Sequence, residues 1–331
     1  MHINNFASKD KDTYTKGKGS LCIFSYNSRG FTEEKQDICK SLFAYTDKYY
    51  PIICNQENFL LKGNSFKVSQ CLKDARIIFK EAVKESLDGR LKNGMFIAVP
   101  SDLKSYVTEV SPHHDRVQAI VLSMAARILI INSYFPTDPK TQDFDTTELC
   151  STLEAIKSVL KENEFDRVIW CGDINADFSR NTTFTTIVDG FVKDNMLESA
   201  WEKFPVDFTH TYERDDQTFT STLDHFFWDG QISGSVEEAD VLHLPGNTSD
   251  HCPVYCKIEI DQMDIKKTTR QASGKVLPSW KRASPEQKEI FTIELEEKMR
   301  TVNMPPRCRN VHCEDPEHIL LGVRQVHDGD S

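Results

Sequence analysis

The stretch "DRVIWCGDINADF", Asp166 to Phe178, decides how the rest of the chain is to be understood. Val168, Ile169 and Trp170 are β-branched and aromatic, the composition of a buried strand. Gly172 follows, and then Asp173 and Asn175 stand two residues apart. An apolar strand thus ends by presenting a carboxylate and an amide. If the strand continued, this spacing would aim both side chains to one side.

Other apolar runs end in the same way. "SLCIFSYN" (20–27) ends at Asn27, and "YYPIICNQE" (49–57) ends at Glu57. "RILIINSYF" (127–135) ends near Tyr134. "STLDHFFW" (221–228) carries Asp224, and "NTSDHCPV" (247–254) sets Ser249, Asp250 and His251 just before a strand. Polar groups at strand ends can converge on one sheet edge, where a rigid scaffold holds functional loops. Each element is weak by itself. Gly-Asp-x-Asn is most often an Asx turn, a Glu after a strand is commonly solvated, and Tyr134 could be a plain strand-end aromatic. Asp224-His225 could be a surface turn, and His225 is given no role. The ordered set is far more specific than its members.

Two amphipathic helices separate some of these strands. In "FTEEKQDICKSLFAYT" (31–46), Thr32 is the N-cap and Ile38 and Leu42 share a face. In "TTELCSTLEAIKSVLKEN" (146–163), Leu149, Leu153, Ile156 and Leu160 form the apolar stripe. "GMFIAVP" (94–100) and "RVQAIVLSM" (116–124) are further strands, and residues 70–90 are expected to include a helix. Roughly nine strands with few helices between them favour two packed sheets with helices outside over a doubly wound parallel sheet.

Residues 1–19 are expected to be a flexible arm, 20–261 one domain, and 262–331 a linker and helical tail. In the tail, "SPEQKEIFTIELEEKMRTVN" begins with a capping-box pattern at Ser284 and Gln287 and has Pro285 at the first helical position. Its stripe, Phe291, Leu295, Met299 and Val302, calls for docking on the main domain or on a partner. Cys308, His312, Cys313 and His318 do not match the common zinc spacings, so ordinary thiols are expected there.

The chain has 331 residues, a net charge of −11 and ten Cys. An acidic balance speaks against a simple electrostatic DNA-binding module. It is compatible with carboxylates that hold a divalent cation, because the ion inverts the local field. No apolar run of about 18 residues is present, so no membrane span is expected. The first 19 residues lack the apolar core of a secretory signal. An intracellular protein with reduced thiols is therefore expected, nuclear if its substrate is genomic DNA, although Lys266-Lys267 is a poor import signal.

In chain order, Asn27 in "SYNSRGF", Glu57 in "NQE", Tyr134 in "NSYFP", Asp173 and Asn175 in "GDINA", Asp224 in "TLDH", and Asp250-His251 in "SDHCPV" form a set. It resembles that of the endonuclease/exonuclease/phosphatase superfamily. The resemblance covers roughly residues 20–260 and is strongest to the endonuclease of LINE-type, non-LTR retrotransposons, through "SYNSRGF", "GDINADF" and "FTHTYERDDQTFTSTLDHFF". Thr211 precedes Asp224 there at the family spacing. "SWKRASPEQ" and "CRNVHC" resemble the segment that follows the endonuclease in such elements. Tyr26 stands where Trp is common, and Asn58 where Thr or His is frequent.

The resemblance implies a DNase I-like α/β fold, a four-layer sandwich of two mixed sheets flanked by helices. It implies Mg²⁺-dependent, or Mn²⁺-dependent, phosphodiester hydrolysis that nicks DNA. Glu57, Asn27 and Asp250 would lie at the metal. Asp173 would orient or deprotonate the attacking water, and Asn175 would hold it or donate to phosphate. His251 would donate to the phosphate, oriented by Asp224, and Tyr134 would bind phosphate or assist the leaving group. Thr211 and Ser249 would support the site, and Arg29, Arg180 and Arg214 would contact DNA. No Tyr-x-Asp-Asp polymerase signature occurs, so no reverse transcriptase domain is expected in this chain. Two alternatives stand beside this reading. One is a superfamily phosphatase or phosphodiesterase acting on small phosphate esters, disfavoured because "TSTLDHFFW" replaces the Pro-x-Trp-x-Asp-Arg stretch of those relatives. The other is an inactive retroelement fragment that binds nucleic acid without cutting.

Overall fold

The computed structural model describes residues 19–44, 49–84, 89–138, 145–205 and 210–260. The expected arm up to residue 18, linker, tail helix and Cys308–His318 cluster lie outside the described residues. Two six-stranded mixed sheets face each other with helices outside, which is the expected four-layer sandwich.

The first sheet is built on β1 (Gly19–Asn27) and β2 (Tyr49–Gln56), a parallel pair joined through helix α1 (Glu33–Phe43). Next to β2 runs β4 (Leu91–Pro100), and β3 (Ala75–Lys84) is at the edge. On the other side, β14 (Val254–Ile260) pairs antiparallel with β1, and β13 (Val236–Val241) with β14. The second sheet repeats the plan. Its parallel pair is β7 (Arg127–Tyr134) and β8 (Arg167–Asp173), joined through α3 (Thr147–Glu162). The strand β12 (Asp224–Asp229) pairs antiparallel with β8. Strands β5 (Val107–Glu109), β6 (Val117–Ser123) and β9 (Leu197–Ser199) complete it. A short hairpin, β10 (Tyr212–Glu213) and β11 (Thr220–Ser221), stands apart.

The central strands are apolar throughout because both of their faces are buried. Leu21, Ile23, Ile52, Cys54, Ile130, Ile169, Cys171, Phe226 and Trp228 fill the space between the sheets. On the outer face of the second sheet, Trp170 and Ile131 pack with Leu149, Leu153 and Ile156 of α3 and Val188 of α4 (Thr183–Asp194). On that of the first sheet, Phe24, Tyr26 and Ile53 meet Ile38, Cys39 and Leu42 of α1. Strand alternation then carries the inner face onward to Asn27, Gln56, Asp173 and Asp224. Topology sets where these lie. Parallel β1, β2, β7 and β8 all end at one edge of the sandwich, and antiparallel β12 and β14 begin there.

Among the described residues of 70–90, the expected helix is confined to the end of α2 (Phe66–Cys71). Ala75–Lys84 form the strand β3 instead. Its Lys, Glu and Ala content favours helix, but β3 pairs with β4 from Ala75↔Pro100 to Lys84↔Leu91, and such pairing overrides propensity. Lys80 adds an anchor through Nζ, which donates to the carbonyls of His114 at 2.5 Å and Val117 at 2.7 Å. Helix α4 escaped notice because "TFTTIVDGFVKD" is rich in β-branched residues and holds a Gly. Its capping box joins Thr182 to Thr185, in place of the usual Glu or Gln.

Among the described glycines, Gly172 has the least room for a side chain. Its φ is +150°, and a Cβ there would lie 1.9 Å from the Ser133 carbonyl oxygen of β7. We expect Gly172→Ala to lower stability by about 3 kcal/mol in urea unfolding. Gly190→Ala, in the open on α4, should raise it by about 0.5–1 kcal/mol.

Candidate active site

The quoted strand does not continue beyond Asp173. Asn175 has φ +53°, in the left-handed region, so strand alternation does not account for the Asp–Asn spacing. A turn does. The Asn175 N–H donates to Asp173 Oδ1 at 3.0 Å, and Asn175 Nδ2 reaches back to Asp173 Oδ2 at 3.3 Å. Asn175 Nδ2 also donates to the Phe135 carbonyl at 3.0 Å. Both hydrogens of that amide are therefore engaged in holding Asp173 and the β7 terminus. From the opposite sheet, Asn27 Nδ2 donates to Asp173 Oδ2 at 2.8 Å.

Asp173 also faces His251, whose Nε2 lies 3.8 Å from Asp173 Oδ2. On its other side, His251 Nδ1 is 2.8 Å from Asp224 Oδ2. The three side chains form a buried carboxylate–imidazole–carboxylate row. Burial pushes the Asp173 carboxyl up from its usual range. The imidazolium opposes this, and the Asp224 and Glu57 charges add to it. For His251, burial acts to lower the pKa, but the carboxylates of Asp224 and Asp173 outweigh it, and the group rises. Both shifts favour keeping a proton in the row.

Supporting groups fix this row from several segments. Thr211 Oγ1 donates to Asp224 Oδ2 at 2.7 Å and accepts from the N–H groups of Leu223 and Asp224, each at 3.0 Å. Ser249 Oγ donates to the Asn27 carbonyl at 2.8 Å. Asn247, which sequence reasoning passed over, holds the His251 carbonyl through Nδ2 at 2.7 Å. The Tyr26 hydroxyl donates to Asn247 Oδ1 at 2.8 Å, which gives Tyr26 a defined task. Beneath the row, Gln56 Nε2 donates to Asn132 Oδ1 at 2.7 Å across the sheets. These two residues were also missed, because an amide inside a strand carries no signal of what it faces.

A cavity of about 370 Å³ opens above the row. Asn27, Glu57, Tyr134, Asp173, Asn175, Asp250 and His251 line it, with Arg180 and Arg214. Burial and the charges of Glu57 and Asp173 push the Tyr134 phenol far up, so it stays protonated as a donor. Arg180 is ion-paired with Asp177 at 3.2 Å, and its guanidinium lies 4.6 Å from the Phe219 ring centroid. Arg214 lies 5.8 Å from the same centroid. Arg29 contacts Asp250 and Asp215.

Similar architectures are known among solved structures. An AP endonuclease from Leishmania major superposes with a TM-score of 0.55 at 14% identity, covering 73% of this chain and 88% of its own. The endonuclease domain of TRAS1, a telomere-specific non-LTR retrotransposon, gives 0.52 at 16% identity, covering 72% and 98%. A 3'-5' exonuclease from Neisseria meningitidis gives 0.54 at 15% identity, covering 72% and 99%. This chain has the DNase I-like fold. No family model and no curated protein matches its sequence.

Oxygen and nitrogen donors that could hold a divalent cation gather at this edge. Asp173, Asp224 and His251 bring ligand atoms within 4.8 Å of one another. Yet Asp224 Oδ2 and His251 Nδ1 are already hydrogen-bonded to each other, with Asp173 at 3.8 Å from the far ring nitrogen. The better oxygen donors are Glu57 and Asp250. Glu57 lines the cavity from a left-handed backbone at φ +52°, and Asp250 Oδ1 is buried without a hydrogen-bond partner. Asn27 Oδ1 accepts from the Arg29 N–H at 3.0 Å, and its amide nitrogen serves Asp173.

Thr211→Val keeps the shape of a fully buried residue but removes all three hydrogen bonds. We expect it to lower stability by about 2 kcal/mol, read as a shift of the guanidinium unfolding midpoint.

Proposed function

We propose that this chain is a divalent-cation-dependent phosphodiesterase that nicks DNA, of the kind carried by non-LTR retrotransposons. The Asp224–His251–Asp173 row at the base of an open cavity carries this reading. Its imidazole and the Asp173 carboxylate lie 3.8 Å apart and both line that cavity, as a phosphodiester hydrolase would need. The sequence resemblance and the nuclease names of the similarly folded structures support it.

In this mechanism Asp224 holds His251 Nδ1, which leaves Nε2 free to donate to a non-bridging phosphate oxygen. Asn27 and Asn175 fix the Asp173 carboxylate, which accepts a proton from the attacking water. The water oxygen forms the new P–O bond as that proton leaves. The bond to the departing sugar oxygen breaks, and solvent at the cavity mouth protonates that oxygen. The Tyr134 hydroxyl donates to the phosphate. Glu57 and Asp250 would hold a divalent ion, which would supply Lewis-acid stabilisation of the transition-state charge. Because the chain is acidic overall, contact with DNA falls to local cations such as Arg180 and Arg214. A genomic substrate would place the protein in the nucleus.

Conversion of supercoiled plasmid to open circles tests the proposal. Mg²⁺ or Mn²⁺ should support nicking and EDTA should abolish it. His251→Ala and Asp173→Asn should each lower the rate by about 10³-fold while plasmid binding, itself weakened by salt, persists. A folded wild type that binds plasmid but never nicks it would refute the enzymatic reading.

A further inference from the structure

Arg29 is held in place more firmly than a half-exposed arginine requires. Its backbone sits at φ +45°. Its N–H donates to Asn27 Oδ1 at 3.0 Å, and its carbonyl accepts from the buried Lys35 Nζ at 2.7 Å. Thus anchored, its guanidinium Nη1 donates to Asp250 Oδ2 at 2.9 Å and to Asp215 Oδ1 at 3.2 Å. Asp250 is the buried partner, its side chain 10% exposed against 75% for Asp215. Asp215 belongs to the loop of the β10–β11 hairpin. That hairpin is joined to the same segment by a hydrogen bond from the Glu213 N–H to the Asp250 carbonyl at 2.8 Å.

The two oxygens of Asp250 therefore differ. Oδ2 faces a guanidinium, while Oδ1 is buried with no hydrogen-bond partner. A guanidinium does not lose its proton in a protein, so this charge is permanent. It lies beside the carboxylates best suited to a divalent ion, and like charges in a partly desolvated site repel strongly. A guanidinium engaged by two carboxylates is also poorly available to a DNA phosphate.

We propose that Arg29 is a built-in counter-cation of the metal site. It neutralises one side of Asp250 and confines the site to a single divalent ion between Glu57 and Asp250 Oδ1. In this role Arg29 is a positioning residue that acts through Asp250. The inference rests on the cation-dependent reading above and deepens it.

Mn²⁺ titration of the full chain, with free Mn²⁺ followed by electron paramagnetic resonance, tests this without any cleavage. Arg29→Gln keeps hydrogen-bond donors but loses the charge. It should bind a second Mn²⁺, or bind the first at least about tenfold tighter. Arg29→Lys keeps the charge and should match the wild type. Arg29→Met serves as a second uncharged variant, and thermal melting by circular dichroism identifies the folded proteins to compare. Unchanged or weaker Mn²⁺ binding by the folded uncharged variants would overturn the proposal. So would an equal gain in Arg29→Lys, or no Mn²⁺ binding by any of the proteins. Since nicking is not the readout, a wild type that cuts no DNA leaves this comparison decisive on its own.

Discussion

The hydrogen bond from Asn27 Nδ2 to Asp173 Oδ2 joins two sheets through residues 146 positions apart in the chain. It lies where the inner faces of the sandwich stop being apolar. Below it, Ile23, Ile52, Ile130 and Ile169 close the gap by packing alone. At its level, amides and carboxylates face each other, and each needs a partner because water is largely excluded. The Gln56–Asn132 contact one layer beneath meets the same need. Because these bonds run between sheets, the spacing of the sheets also sets the spacing of the site.

That constraint explains why the site is built from strand ends. Two parallel pairs, each with a helical crossover, deliver Asn27, Glu57, Tyr134 and Asp173 to one edge, and two antiparallel partners deliver Asp224 and the segment before β14. Left-handed backbone at Arg29, Glu57 and Asn175 marks where the chain turns sharply off a strand to stay within reach. Such conformations cost about 1 kcal/mol or more each and persist only where surrounding bonds hold them. At Arg29 and Asn175 those bonds run from the backbone N–H to the Asn27 and Asp173 side chains.

Electrostatics ties the row to the cavity. Asp173 and Asp224 are both buried carboxylates, and the imidazole between them limits their mutual repulsion. Arg29 does the corresponding work for Asp250 at the cavity rim. Around the cavity, Arg29 and Arg180 likewise lie against carboxylates, of Asp250 and Asp215 and of Asp177.

The apolar runs, and the polar residues that end them, were legible without coordinates. They point to two sheets with helices outside, because an apolar run and its polar end are local properties that each strand carries in its own sequence. The chain order of Asn27, Glu57, Tyr134, Asp173, Asn175, Asp224, Asp250 and His251 was legible for the same reason. What remained hidden depends on partners distant along the chain. The strand β3 exists because β4 pairs with it, against its own helical composition. The bond between Arg29 and Asp250 spans 221 positions, and nothing local distinguishes Arg29 from a solvated arginine. Asn175 proved to be set by a turn and a reach across to Phe135. Local sequence encodes which face a side chain takes on its own strand. Which group it meets across a sheet gap is decided only when topology and packing bring the two within hydrogen-bonding distance.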